Sequence, residues 1–181
     1  MTAVNRRQDA VEKTTKMEAG GFLHPEQVIQ QINFSPKQIV ADFGCGAGYF
    51  TVLMAQAVGP DGQVFACDVQ EPPLETVLSK AKTANVFNIK TIHCNLETPQ
   101  STKLAANSVD WIMLANILFQ SQKKDTIIEE AKRILKPTGK IITVPRYRTT
   151  IINAKFSKFP YAYILKKISS KSITGDKNAS N

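Results

Sequence analysis

From residue 39 onward, short β-branched runs alternate with segments whose apolar residues recur at helical spacing, the pattern of a parallel sheet carrying helices on its faces. Ile39-Val40-Ala41-Asp42-Phe43 predicts a first strand, and Phe50, Leu53, Met54 and Ala57 at i, i+3, i+4 and i+7 predict an amphipathic helix after it. Gly59-Pro60-Asp61-Gly62 stops that helix. A second strand runs from Gln63 to Cys67 and leads through Asp68 to a helix opening at Pro72-Pro73, with Leu74, Val77, Leu78 and Ala81 on one face. Asn88 to His93 predicts a short third strand, and Val109 to Leu114 a fourth, announced by the turn-forming Ala106-Asn107-Ser108. The next helix spans about Lys123 to Lys136, with Ile127, Ala131, Ile134 and Leu135 as its stripe; Pro137-Thr138-Gly139 ends it before a fifth strand, Lys140 to Val144. Upstream, Pro25 to Ile32 predicts a short helix with Val28, Ile29 and Ile32 turned inward, after a Gly20-Gly21 hinge.

These elements sum to one domain. A chain of 181 residues with 43% apolar and 21% charged residues is long enough for a single substantial core and has the composition of a soluble globule. Its longest strongly apolar run, Trp111 to Phe119, is far too short to span a bilayer. The polar N-terminus lacks the apolar stretch of a secretory signal, so a cytoplasmic location is the expectation. Residues 1–19 are expected to form a flexible arm, weakly helical at best, 20–145 the folded domain and 146–181 a basic tail.

Charge sharpens that division. The net charge is +8, and residues 146–181 hold 8 Lys/Arg against a single acid. A solvated end explains such a tail most simply; RNA or an anionic membrane surface is the partner it would otherwise suit. Cys45, Cys67 and Cys94 lack metal or redox spacing and sit at strand ends, where they are expected to pack as small hydrophobes; no metal site is predicted.

The stretch that carries chemistry is Asp42-Phe43-Gly44-Cys45-Gly46-Ala47-Gly48-Tyr49, an apolar strand running through three alternating glycines into a helix. Glycines here let the backbone turn tightly and approach a ligand, and the helix N-terminus points its N–H groups at the same place. Neither register fits a dinucleotide fingerprint, because Tyr49 and Thr51 stand where its third glycine belongs. Twenty residues beyond Gly48, Asp68 ends the second strand, where a carboxylate can accept both hydroxyls of a ribose, although Asp also favours helix starts.

The D-x-G-x-G-x-G spacing resembles motif I of class I S-adenosylmethionine-dependent methyltransferases. The resemblance extends over about residues 20 to 145. His93-Cys94-Asn95-Leu96-Glu97 stands where that family places an acid for the adenine amino group, with Asn95 in the acid's position. Asp110-Trp111-Ile112-Met113-Leu114-Ala115-Asn116-Ile117 resembles the segment beside the methionine end of the cofactor. Leu135-Lys136-Pro137-Thr138-Gly139-Lys140 resembles the signature that follows the fourth-strand helix. Within the class, the likeness is to the small-molecule group that includes the ubiquinone and menaquinone biosynthesis enzymes.

The resemblance implies a Rossmann-like three-layer α/β/α sandwich with a mainly parallel sheet, S-adenosyl-L-methionine as cofactor and transfer of a methyl group to a small-molecule acceptor. The cofactor-binding set it implies is Asp42, Gly44, Cys45, Gly46, Gly48, Tyr49, Asp68, Val69, Asn95, Leu96, Ala115 and Asn116. No catalytic residue is assigned, since transfer from a sulfonium needs orientation and exclusion of water more than a particular side chain. His24 and His93 are the candidate proton acceptors, with packing or solvation the simpler role for each. Ala115-Asn116-Ile117-Leu118 lacks the Asn-Pro-Pro-aromatic turn of amino-directed DNA methyltransferases, and the cysteines do not suit an arsenic enzyme. Two other readings stand beside the small-molecule enzyme: an RNA methyltransferase using the basic tail, and a non-catalytic cofactor-binding module. After Val144 too few residues remain for the family's usual ending, so the C-terminal hairpin is expected to be shortened or absent and the fifth strand to lie exposed as an edge.

Overall fold

The computed structural model describes residues 15–16, 24–144 and 148–153. Seven strands form one sheet in the order β1-β7-β6-β5-β2-β3-β4, with β1 Thr15–Lys16, β2 Ile39–Phe43, β3 Gln63–Asp68, β4 Ile89–His93, β5 Val109–Ala115, β6 Leu135–Val144 and β7 Arg148–Asn153. The five from β6 across to β4 are parallel, while β7 and then β1 add antiparallel at one edge. Helices α1 Pro25–Ile32, α2 Tyr49–Val58 and α3 Glu71–Thr83 cover one face; α4 Ile117–Gln120 and α5 Lys124–Ile134 cover the other. This is the Rossmann-like three-layer arrangement. Among the described residues no helix is long and apolar enough to cross a membrane.

Period-two alternation divides each strand between the two cores. Val40, Val64, Trp111, Met113 and Ile142 face α1 and α2, whereas Ala41, Phe43, Ile112, Leu114 and Ile141 face α5. Both faces are buried, which is why the strands read as nearly continuous apolar runs. Val28, Ile29 and Ile32 of α1 are buried as expected.

Several boundaries and faces differ from expectation. The buried stripe of α2 is Thr51, Met54, Ala55 and Val58, with Phe50, Leu53 and Ala57 flanking it half-covered, because Thr51 turns inward to reach Asp42. Leu78 of α3 is 47% exposed, outside the stripe of Leu74, Val77 and Ala81. Helix α5 ends at Ile134; Leu135 is extended and pairs with Val109, and the ladder resumes at Trp111 with Lys140. Pro137, Thr138 and Gly139 therefore form a bulge within β6 rather than a connector before it, a place where a missing N–H is tolerated.

The edge also differs. Thr143, Ile142, Ile141 and Lys140 of β6 pair with Thr150, Ile151, Ile152 and Asn153 of β7, so the fifth parallel strand is not an open edge and the sheet continues beyond residue 145. Thr15 and Lys16, expected in a weakly helical arm, pair as strand with Thr149 and Arg148. The rest of the N-terminal arm, the Gly20-Gly21 hinge and residues 154–181 of the basic tail lie outside the described residues.

Candidate functional site

The carboxyl ends of β2, β3, β4 and β5 lie side by side, and every candidate cofactor-binding residue sits on one of them or in the segment that follows. At the end of β2 the chain turns because the Gly44 and Cys45 N–H groups both donate to the Cys67 carbonyl, at 2.8 and 3.0 Å. The Gly48 N–H closes the turn on the Cys45 carbonyl at 2.9 Å, and Gly48 then caps α2.

The three motif glycines have different reasons to lack a side chain. A Cβ on Gly44 would stand 2.8 Å from Ile117 Cδ1, and one on Gly48 2.7 Å from Val77 Cγ2, so both make room for packing. A Cβ on Gly46, whose φ is +50°, would meet nothing within 4 Å. Open space over a left-handed glycine is what a ligand approaching the backbone requires.

Two carboxylates stand at the ends of the strands that flank this turn. Asp68 ends β3; its Oδ2 accepts the Gly46 N–H at 2.9 Å and its Oδ1 the Gln70 N–H at 3.0 Å. Each oxygen keeps a second lone pair, so Asp68 braces the glycine turn and still has two acceptor sites to offer. Asp42 is 1% exposed. Thr51 Oγ1 donates to its Oδ2 at 2.6 Å, while Oδ1 has no partner. Burial pushes its pKa up to about 7, against the Thr51 hydrogen bond and helped by the charge of Asp68. A buried acceptor without a donor asks for an explanation, and a cationic group above it would supply one.

After β4 the chain forms a tight turn in which Asn95 Oδ1 accepts the Glu97 N–H and the Asn95 carbonyl accepts the Thr98 N–H, each at 2.9 Å. Asn95 is exposed, and its side-chain amide keeps both a donor and a second acceptor lone pair to offer. Leu96 is buried beneath, and Val69 is exposed across from it after β3. After β5, Asn116 takes a left-handed conformation (φ 60°), its N–H donates to the Val144 carbonyl, and α4 begins, bringing Ile117 onto Gly44. Asp42, Gly44, Cys45, Gly46, Gly48, Asp68, Asn95, Leu96, Ala115 and Asn116 thus converge, with Tyr49 and Val69 exposed at the rim.

The candidate proton acceptors and thiols have other roles. His24 is exposed at the start of α1, where its carbonyl accepts the Gln27 and Val28 N–H groups. His93 is held by its surroundings, Nε2 lying 2.9 Å from the Val69 carbonyl and Nδ1 3.1 Å from Glu71 Oε1. All three cysteines are buried. Burial pushes the Cys45 thiol pKa well up, and a thiol hydrogen bond with Cys94 does the same for Cys67, so neither supplies a thiolate nucleophile.

Some site residues carried no sequence signal strong enough to single out. Thr51 shows only as a polar break in the apolar helix. Lys80, one of several α3 lysines, donates to the Ala47 carbonyl at 2.9 Å and lies 3.8 Å over the Tyr49 ring, pinning the glycine turn to α3. Helix α4 was hidden inside an apolar run that read as strand and loop.

Comparison with known proteins agrees with this fold. Residues 40–139 match the family model described as a methyltransferase domain. The demethylmenaquinone methyltransferase of Geobacillus sp. (strain WCH70) is 27% identical over 138 residues, which cover 76% of this chain and 57% of that enzyme. That of Staphylococcus aureus (strain JH9) is 32% identical over 111 residues, covering 61% and 44%. The crystal structure of a SAM-dependent methyltransferase from Aquifex aeolicus superposes with a TM-score of 0.60 at 26% identity, covering 67% of this chain and 63% of that one. The chain therefore aligns with only about half the length of these curated relatives.

Proposed function

The chain belongs to the methyltransferase-domain family, and from that premise we propose that it binds S-adenosyl-L-methionine across the carboxyl ends of β2–β5 and transfers its methyl group to a small-molecule acceptor. The observation that carries this reading is the open space over Gly46, whose N–H is held by the Asp68 carboxylate.

The residues fit the cofactor's parts. Asp68 accepts from the ribose hydroxyls with the lone pairs that the Gly46 and Gln70 N–H groups leave over. Asp42, beneath the glycine turn, faces the methionyl ammonium, whose positive charge favours the ionised carboxylate. Val69 and Leu96 give the adenine apolar contact, and Asn95 meets the adenine edge through its side-chain amide. When bound, the cofactor supplies an activated sulfonium methyl. Ala115 and Asn116 then border the reacting end, and α4 closes that side against water. With no side chain assigned to proton transfer among the described residues, the protein's contribution is orientation and desolvation, and the acceptor brings a nucleophile already reactive near neutral pH.

The relatives named above point to an apolar ring acceptor of the demethylmenaquinone kind. The test is to incubate the chain with methyl-labelled S-adenosylmethionine and a panel of small acceptors including a demethylated naphthoquinol. Label is expected in the extracted acceptor, at a rate cut at least about 100-fold by Asp68→Ala, an effect the size of two or more lost charge-assisted hydrogen bonds. S-adenosylmethionine binding without label in any acceptor would favour a non-catalytic module instead.

A further inference from the structure

The loop that follows β4 and the segment that follows β5 approach each other at a single carboxylate. Ser121, buried between α4 and α5, donates from Oγ to Glu97 Oε1 at 2.6 Å, and the same Oγ accepts the Lys123 N–H at 3.0 Å. The N–H groups of Gln122 and Lys123 also turn toward the Glu97 carboxylate, and together with Ser121 they hold its pKa below the usual carboxylate range. Lys123 precedes the first turn of α5, so the carboxylate also receives the favourable end of that helix.

These contacts complete a circuit around the site. The Gly46 N–H binds Asp68, the Asp68 carbonyl accepts the Cys94 N–H at 2.9 Å, and Asn95 folds the loop back so that Glu97 faces Ser121. The Ser121 N–H in turn binds the Ile117 carbonyl at 3.1 Å, and the Ile117 side chain rests on Gly44. The circuit leaves the glycine turn at Gly46 and returns to it at Gly44. Its only link between two side chains is the one from Ser121 to Glu97; every other hydrogen bond in it uses backbone on at least one side.

From this closed path we infer that Glu97 is a positioning residue: it fastens α4 and the α4–α5 connection to the loop after β4, so that ligand seated on that loop also orders the opposite wall of the site. The fastening itself stands on the geometry alone, and its consequence for ligand rests on the function proposed above. Glu97 touches neither reactant. It acts through Ser121 and α4, whose exposed Phe119 and half-buried Ile117 stand on the acceptor's side.

Hydrogen exchange of the full chain, with and without S-adenosylhomocysteine as probe, separates the two parts. Glu97→Ala and, as an independent break in the same link, Ser121→Ala are expected to speed ligand-free exchange across residues 117–124 by about tenfold, the size of an ordinary coupling between sites, while leaving β2, β3 and β5 protected. Both variants should keep the probe's slowing of exchange at 44–48 and lose it at 117–124, whereas Glu97→Gln, which retains an oxygen for Ser121, restores it. Wild-type exchange across 117–124 in both broken variants would overturn the inference. A change there in the absence of ligand, with no probe effect on any segment of the wild type, would uphold the fastening and count against the cofactor reading.

Discussion

Each motif residue has its own physical task. Gly44 and Gly48 are small because Ile117 and Val77 press on them, while Gly46 is small because something outside the chain must come close. The acid-glycine spacing was legible in the sequence; this division of labour was not, since it depends on side chains 73 and 29 positions downstream of the first and last glycine. Asp42 gives the residue-scale prediction. Its folded pKa of about 7 lies above its unfolded value near 4, so it contributes stability that is full below pH ~4 and is lost as pH rises through ~7. Thermal melts of wild type and Asp42→Asn should therefore diverge with pH, wild type losing on the order of a few kcal/mol relative to the variant between pH ~4 and ~8. Affinity for S-adenosylhomocysteine should move the other way, rising through the same window as the carboxylate ionises, and the variant should show neither trend. Parallel melting curves across this range would remove Asp42 from the account.

Elements were legible where pattern and burial agree. The strand β2 and helix α1 have the bounds their apolar residues predict, and β3, β4 and β5 fall within a residue of expectation; for β2 and β5 this follows because strands buried on both faces need unbroken apolar runs. Faces were harder. In α2 a buried hydrogen bond to Asp42 outweighs the apolar stripe and turns Thr51 inward, and in β6 the pairing of Leu135 with Val109 outweighs the usual reading of Pro-Thr-Gly as a boundary. Strand β7 was missed because it lies in the basic segment, where composition suggested a solvated end; it forms through backbone pairing to β6. Ending the chain at residue 145 removes that partner and exposes the β6 edge, so the shortened protein is expected to associate in a concentration-dependent way and to melt earlier. Light scattering and a thermal melt that match the full chain would mean β7 contributes little to closing the sheet.

For the whole molecule, topology converts separate motifs into one site. Parallel strands joined by right-handed crossovers put all their carboxyl ends on one side, so a glycine turn, an acid twenty residues later and two further loops become neighbours without being near in sequence. That convergence could be anticipated from the order of motifs. The ties that hold it could not: Lys80 of α3 on Ala47 and Ser121 on Glu97 join segments far apart in sequence, and nothing in their spacing announces them. The central claim is that this convergence is a nucleoside-cofactor site built over Gly46. Calorimetric titration of the full chain with S-adenosylhomocysteine, beside Gly46→Val and with NADH as control ligand, tests it most directly. The account predicts saturable one-site binding to wild type, none of NADH, and a loss of at least about tenfold in affinity for the variant, whose branched side chain fills the open space at a strained φ. Equal affinity of a folded Gly46→Val, or no binding by the wild type, would contradict it.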